Sequence, residues 1–343
     1  MLQRTDLSLR TLRGRHQKRK RSLPPAQFMG MATCLELSSR RWKYKDFIGL
    51  GERQDSMTSN LFDLSLLICT RNRATQLAQT LKRVSAMQSR LRWELIVVDN
   101  GSTDRTSAVL AEYAAACSHP TQMIIERGRG VSCAKNAGWR LTRSDIVVSI
   151  DDDCYPAEDY LDSIFECFSK DPKLGFLGGR ILLHDPTDRR ITIQESLEPL
   201  SLPPNSFIRP GCIQGANAAY RRAALAEVGG FDPWFGGGAL YSGEEAELMA
   251  RISAAGWCGS YDPKPVVYHH HGRKTANDEW RLRRWYDLGR GAYYAKCMLN
   301  RGMRNVYVKN WLVTRQQQSW KATALEIVAG LDYVARACIS RRS

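Results

Sequence analysis

Between residues 64 and 150 the chain repeats one pattern four times: an apolar run, a polar or glycine-containing break, then an amphipathic stretch. The runs are LSLLICT (64–70), WELIVVDN (93–100), TQMIIE (121–126) and DIVVSI (145–150). Strands this apolar must be covered on both faces, which is the condition of a parallel sheet. The intervening segments predict helices over ATQLAQTLKRVSAM, over STDRTSAVLAEYAAAC with Ser102 or Thr103 as its cap, and over VSCAKNAGWRLT. A fourth helix, AEDYLDSIFECFSK, follows the fourth strand. Strands alternating with helices predict an α/β fold with helices on both faces of the sheet. In such sheets ligands bind beyond the carboxyl ends of the strands. The residues there are Thr70-Arg71-Asn72-Arg73, Asp99-Asn100-Gly101-Ser102, Arg127 to Gly130, and Asp151-Asp152-Asp153. All are polar, small or charged, so that edge reads as a binding face.

The triple aspartate is its most demanding feature, because adjacent carboxylates repel and resist desolvation. Three chemistries compete for the face. A dinucleotide site would use GRGVSCA (128–134), but the third small residue of that fingerprint falls where Cys133 stands, and the run follows the third strand rather than the first. A phosphatase-type aspartyl nucleophile needs a carboxylate after the first strand, and ICTRNR has none. A divalent cation with a nucleotide diphosphate fits better. Mg²⁺ and Mn²⁺ favour carboxylate oxygens and keep positions for phosphates. Asp151 and Asp153, two residues apart on extended backbone, project to the same side, whereas Asp152 points the other way.

The segments LSLLICTRNRATQLAQTL, WELIVVDNGSTDRT, ERGRGVSCAKNAG, SIDDDCYP, GANAAYRRAALAEVGGFD and GEEAELMARI, in order from about Leu64 to His271, resemble the successive motifs of family 2 glycosyltransferases. The resemblance implies a GT-A fold, a mixed and mainly parallel sheet flanked by helices. It also implies inverting transfer of a sugar from a nucleotide diphosphate, most often a uridine diphosphate sugar. The DDD resembles the family's D-x-D, which assigns Asp153 to Mn²⁺ or Mg²⁺ and Asp151 to the metal or the ribose. Thr70, Arg71 and Asn72 after the first strand, Asp99 after the second, Lys135 where the family often has Arg, and Asp151 and Asp152 make up the implied nucleotide-sugar set.

Inverting transfer needs a base for the acceptor hydroxyl. GEEAELMARISAAG (243–256) predicts a helix, and on composition its acidic start reads as a first turn favoured by the helix dipole. The family commonly has Glu-Asp here with the Asp as base, so the resemblance assigns the catalytic role to Glu245, with Glu244 beside it. VVYHHHG (266–272) ends a predicted strand; imidazole is a ready metal ligand, and the family often completes its metal site with a histidine here. His269 is the first choice and His271 the second. Asn217 and Trp234 are candidate acceptor contacts beside a mobile Gly236–Gly238 loop, and Trp234 reads equally as core.

Charge divides the chain. Residues 1–60 hold 13 Lys/Arg against 5 Asp/Glu, residues 272–343 hold 15 against 5, and the middle holds 22 against 25. The expected divisions are a basic disordered arm (1–60), a catalytic domain (61–271, with a nucleotide half 61–153 and an acceptor half 154–271) and a basic, aromatic, helical extension (272–343). Met29, Met31 and Met57 leave the translation start open. The arm reads as a solvated tail ahead of a nucleic-acid or nuclear-targeting run. The extension, with Trp280, Trp285, Trp311 and Trp320, suits core packing or an anionic membrane surface, and nucleic acid is the disfavoured partner. Its RLRRW (281–285) keeps Arg-Trp of the Q-x-x-R-W seen in processive family members but has Arg in place of Gln, so single-sugar addition is expected. Ten scattered cysteines without C-x-x-C read as reduced cytosolic thiols. No apolar run approaches about 20 residues, and no secretory leader is evident. The expectation is a cytoplasmic enzyme, peripheral at the inner face of the membrane, acting on a glycan or lipid-linked acceptor in polysaccharide or glycolipid synthesis. The competing readings are a nucleotidyl- or sugar-phosphate transferase, and a non-catalytic sugar-nucleotide or glycan-binding protein.

Overall fold

The computed structural model describes residues 61–340; the arm expected over 1–60 lies outside them. The four predicted strands form as β1 (Leu64–Thr70), β2 (Trp93–Asp99), β3 (Thr121–Ile125) and β4 (Ile146–Asp151). They alternate with α1 (Ala74–Ser85), α2 (Thr106–Ala116) and α3 (Val131–Leu141). Period-two alternation explains the double covering. Leu64, Leu66 and Ile68 pack on one face with Leu77 and Leu81 of α1, while Leu67 joins Val98 and Trp139 of α3 on the other. Helix α2 begins at Thr106, four residues after Ser102. Ser102 and Thr103 instead tie two loops together: Asn72 N donates to Ser102 Oγ at 2.9 Å, and Thr103 N donates to Asn72 Oδ1 at 2.7 Å. Asp104 Oδ1 accepts from Thr106 N at the helix start.

The rest of the sheet comprises β5 (Cys154–Pro156), β6 (Leu174–Leu183), β7 (Leu200–Leu202), β8 (Asn217–Arg221) and β9 (Cys258–His269). It is covered by α4 (Tyr160–Lys170), α5 (Arg222–Val228) and α6 (Glu244–Ala254). The strand order is β3-β2-β1-β4-β8-β6-β9-β5, with β7 on β9. Pairing is parallel from β3 through β4 and between β6 and β9, and antiparallel where β8 joins β4 and β6. The chain leaves β1 for β2 on one side and returns to β4 on the other, and this reversal opens a crevice at the strands' carboxyl ends. In register, Thr70 lies opposite Asp99 and Cys69 opposite Asp151.

The extension after 271 packs its aromatics on the core of the rest, one of the two readings its composition left open. Tyr293 of α7 (Ala276–Leu299), Tyr307 of α8 (Arg304–Thr314) and Tyr333 of α9 (Trp320–Ser340) pack in one cluster with Phe235, Tyr241 and Leu248. Tyr293 Oη donates to Ile208 O at 2.8 Å, and Lys296 pairs with the buried Glu247 of α6. Gly291 lets α7 approach α9 so closely that a Cβ there would stand 2.1 Å from Glu326 O.

Candidate active site

A cleft of about 410 Å³ opens over the carboxyl ends of β1 and β4. Asp151, Asp152 and Asp153 form its floor, with Thr70, Arg71 and Arg73 on one side, Glu244 and Glu245 on another, and His269 at the end of β9. The three aspartates divide. Asp152 turns to the β1 loop, where Thr70 Oγ1 donates to it at 2.6 Å and Arg73 Nε at 2.7 Å. Burial raises its carboxyl to about 6 against the pull of Arg73. Asp151, Asp153, Cys154 and His269 each bring one ligand atom within 4.8 Å of the others. Burial also pushes Asp151 up, opposed by Lys135 and reinforced by the charge of Asp153. Asp153 goes the other way: burial opposes its charge, but His269 and the Arg73 guanidinium outweigh it and hold the carboxyl low.

His269 is oriented for ligation. Its Nδ1 lies 3.1 Å from Thr192 O, so that nitrogen carries the proton and Nε2 faces Asp153 Oδ1 at 3.3 Å. An imidazole anchored through its second nitrogen is the arrangement that positions metal-binding histidines. Thr192 holds it from a left-handed backbone at φ 54°, rare for a β-branched residue. Oxygen donors from two carboxylates plus this nitrogen fit Mn²⁺ or Mg²⁺. The Cys154 thiol, driven well up by burial, remains protonated and is a poor ligand. His271 is not part of the cluster: its Nδ1 accepts from Arg273 N and its Nε2 donates to Arg189 O, each at 3.0 Å. Both nitrogens are engaged because β9 has ended and the chain turns there.

The acidic pair at the start of α6 also separates. Lys135 of α3, buried to 3% exposure, donates through Nζ to Glu244 Oε1 at 2.8 Å. Burial opposes the charge of Glu244, but the ammonium prevails and lowers its pKa. Glu245 has no such partner; burial and the neighbouring Glu244 charge push it up to about 8. Gly215 faces this trio, a Cβ there falling 3.3 Å from Lys135 Nζ and 3.9 Å from Glu245 Cδ, so its bareness keeps the carboxylates open to the cleft. Lys135 therefore packs behind the start of α6 and is not among the residues lining the cleft, where the resemblance had placed it beside the diphosphate.

Other expected residues lie outside the cleft lining. Asp99 closes the turn after β2 by accepting from Ser102 N at 2.8 Å, and its neighbour Asn100 is the one that lines the cleft. Asn72 is occupied by the loop tie described above. Asn217 is no acceptor contact. It is buried to 1% and its amide is consumed by Arg180 O, Pro265 O and the Tyr160 hydroxyl at 2.9–3.0 Å. Trp234 packs edge-on against Tyr333 at 5.6 Å, a core contact. Conversely, Arg73, Thr192, Gly215, Arg273 and Tyr286 line or build the cleft and were not singled out from sequence. Arg73 stood in the quoted loop after β1, and Tyr286 directly follows the Arg-Trp pair of RLRRW.

This sheet order, with a carboxylate cluster at the crevice of its central strands, defines the GT-A fold. The structure superposes on the mannosyltransferase PcManGT of Pyrobaculum calidifontis, solved with GDP-Man and Mn²⁺, with a TM-score of 0.54 at 18% identity over 84% of this chain and 88% of the other. It superposes on S. aureus TarS 1-349 in complex with UDP-GlcNAc with a TM-score of 0.54 at 14% identity, over 71% and 69%. Residues 65–229, just under half of the chain, match the glycosyl transferase family 2 model, and together with its glycosyltransferase relatives this match supports a family 2 glycosyltransferase. Among its relatives are the pre-mycofactocin glycosyltransferase of Mycobacterium tuberculosis (25% identical, 67% of this chain, 47% of the relative) and a decaprenol-linked L-rhamnosyltransferase of the same organism (27%, 54% and 68%). A probable glycosyltransferase of Bacillus subtilis, YdaM, is 26% identical over 65% of this chain and 54% of its own length. The chain thus spans about half the length of several curated relatives it matches.

Proposed function

We propose that this protein transfers a single sugar from a nucleotide-diphosphate sugar, a uridine diphosphate sugar first, to an acceptor hydroxyl with inversion at the anomeric carbon. One observation carries the reading: Glu245, a carboxylate raised into the neutral range, shares the cleft with the Asp151, Asp153 and His269 cluster. A base with a pKa near working pH is effective at proton removal. Glu245 takes the proton of the acceptor hydroxyl, the acceptor oxygen bonds to the anomeric carbon, and the bond from that carbon to the diphosphate oxygen breaks with its electron pair. A divalent cation held by Asp151, Asp153 and His269 would neutralise charge developing on the departing diphosphate. Arg73 holds Asp152 and Asp153 in place, and Lys135 keeps Glu244 ionised so that Glu245 carries the pair's raised pKa. The neighbours solved with GDP-Man and UDP-GlcNAc support a nucleotide-sugar donor without selecting its base. Asp153→Ala should abolish Mn²⁺-dependent binding of nucleoside diphosphates, and Glu245→Gln should retain binding and lose transfer in a screen of nucleotide-sugars. Intact transfer in Glu245→Gln would move the base elsewhere; binding without any transfer or hydrolysis in the wild type would favour a sugar-nucleotide-binding protein.

The acceptor in this reading is a glycan or a lipid-linked hydroxyl presented at the cytoplasmic face of a membrane, in line with relatives named for decaprenol- and undecaprenyl-linked chemistry. Among the described residues no helix is long and apolar enough to cross a membrane. Yet α9 exposes Trp320, Val328, Leu331 and Ile339 along one stripe, with Lys321 and Arg336 also exposed. Such a face suits shallow insertion at an anionic surface. Val328→Asp with Leu331→Asp should end sedimentation with anionic vesicles; unchanged partitioning would remove the membrane from the proposal.

A further inference from the structure

Outside the cleft, the residue after His269 faces a second set of ligating groups. Asp185, Asp188 and His270 bring one ligand atom each within 4.8 Å of one another. They belong to the segments leaving β6 and β9, which are held together by His184 N donating to His269 O at 3.0 Å and Arg189 N to Arg273 O at 2.8 Å.

Two features distinguish this cluster from an ordinary acidic turn. The Asp188 side chain is fully buried; its Oδ2 accepts from Gly272 N at 2.8 Å, but its Oδ1 has no hydrogen-bond partner. A buried carboxylate oxygen left without a donor is destabilising unless a cation meets it. The second feature is the proton on His270. Tyr155 Oη donates to Gln79 Oε1 at 2.6 Å, so the same oxygen accepts from His270 Nδ1 at 3.0 Å. The proton therefore sits on Nδ1, and the Nε2 lone pair is directed away from Tyr155. Nε2 lies 4.0 Å from Asp185 Oδ2, beyond hydrogen-bond reach. Two ligands about 2.1 Å from one ion stand about 3.0–3.4 Å apart in octahedral or tetrahedral geometry, so a cation here would draw this pair together by roughly half an ångström or more. Anchoring through the second ring nitrogen again matches the way metal-binding imidazoles are held.

Existing contacts do not neutralise the cluster. Lys274 Nζ reaches Asp185 Oδ2 at 3.0 Å from a side chain that is 54% exposed, and Asp185 Oδ1 accepts from Thr187 N and Oγ1 at 2.8 and 2.7 Å. His271 Nδ1 lies 3.6 Å from Asp188 Oδ2, but that nitrogen already accepts from Arg273 N. One solvent-side ammonium stands against two carboxylates.

We propose that Asp185, Asp188 and His270 form a second divalent-cation site, separate from the one in the cleft, for a first-row ion such as Mn²⁺ or Zn²⁺. Two carboxylates with one imidazole are a mixed donor set that both ions accept. A cation there clamps the segment carrying Asp185 and Asp188 to the one carrying Arg273, and so steadies the wall on which Thr192 and His269 meet.

The test is calorimetric titration of the full chain with Mn²⁺ and, separately, Zn²⁺, without nucleotide. The chains compared are wild type, His270→Ala, Asp153→Asn, Asp153→Asn with Asp188→Asn, and Asp153→Asn with His270→Ala. Asp153→Asn should keep one bound equivalent and melt higher with metal than without. Adding Asp188→Asn, which preserves the acceptor for Gly272 N, or His270→Ala should weaken that equivalent at least tenfold and erase the metal-dependent shift. Anomalous scattering from a Mn²⁺- or Zn²⁺-soaked Asp153→Asn crystal should place the ion between the three side chains. No bound ion in Asp153→Asn, or a retained equivalent indifferent to both second substitutions, overturns the proposal. A wild type that binds a single ion lost on His270→Ala alone would refute the cleft site and leave this one standing.

Discussion

Lys135 and Glu244 join α3 to the start of α6 through a buried pair at 2.8 Å, with side chains 3% and 12% exposed. At an effective dielectric of about 20, a unit pair at that separation attracts by about 6 kcal/mol, most of it offset by the desolvation of two ions. Removing one partner leaves the desolvation without the attraction. Lys135→Met places an uncompensated Glu244 beside Glu245 and Asp151, both already raised by burial. The expected loss is about 3–5 kcal/mol, a fall in melting temperature on the order of 10 °C. Lys135→Met with Glu244→Gln removes both charges and should recover at least half of it. Urea unfolding of the wild type, the two single variants and the double variant yields the coupling directly. A Lys135→Met cost under about 1 kcal/mol, or no recovery in the double variant, would refute the pairing as the reason for the lysine. If Lys135 instead met the diphosphate, nucleotide affinity would fall in Lys135→Met and stay low in the double variant.

Transfer should rise with pH on its acid limb up to about 8, because Glu245 acts as base only when ionised and its pKa is raised; a rate flat down to pH 6 would exclude it as the base. The same raised pKa means that the folded chain holds a proton the unfolded chain releases, so stability declines as pH climbs from the ordinary carboxylate range toward 8. Glu245→Gln should accordingly gain stability over the wild type at pH 8 and above while losing at least about 10²-fold in kcat. Among the three aspartates, Asp152→Asn should be the mildest for metal-dependent nucleotide binding, since Thr70 and Arg73 hold its carboxylate; a loss equal to that of Asp153→Asn would reverse the division. Gly291→Ala forces a Cβ into the Glu326 backbone and should cost about 1–3 kcal/mol in thermal unfolding; no measurable change would mean that α7 and α9 are not packed this tightly.

Strands β1, β2 and β4 were readable because burial on both faces makes their sequences apolar, a pattern that neither a half-exposed strand nor a surface helix produces; β3, a partly exposed edge strand, followed from its place in the repeat. Strand β6 was not, because LGFLGGRILL carries three glycines and looks like a turn. Those glycines answer to packing: a Cβ at Gly175, Gly178 or Gly179 would stand 2.4–2.6 Å from Trp257, Ile213 or Asn217. Asn217 was misread for a related reason, since a polar residue beside a loop looks like a ligand contact until the strands that consume its amide are known. The aromatic C-terminus was ambiguous in the same way. Tyr293, Tyr307 and Tyr333 are core residues, but the arginines around them dilute the apolar periodicity that would have said so.

The site itself shows where local pattern stops being informative. The histidine run offered His269 first and His271 second, and His271 fails because β9 ends at His269 and the chain turns. Glu244 and Glu245 are neighbours in one helical turn with nothing in their own segment to rank them. The ranking comes from Lys135, 109 residues away, whose ammonium lies against the first of the pair and leaves the second with a raised pKa. A resemblance could point to the second acidic position, but only the placement of α3 beneath α6 supplies a physical reason for it. That reason makes the lysine a positioning group, and it explains how glutamate can stand where the family commonly has aspartate. In the proposed mechanism the base is selected by which carboxylate lacks a hydrogen-bonded cation, a property of the packed pair and not of either side chain's length.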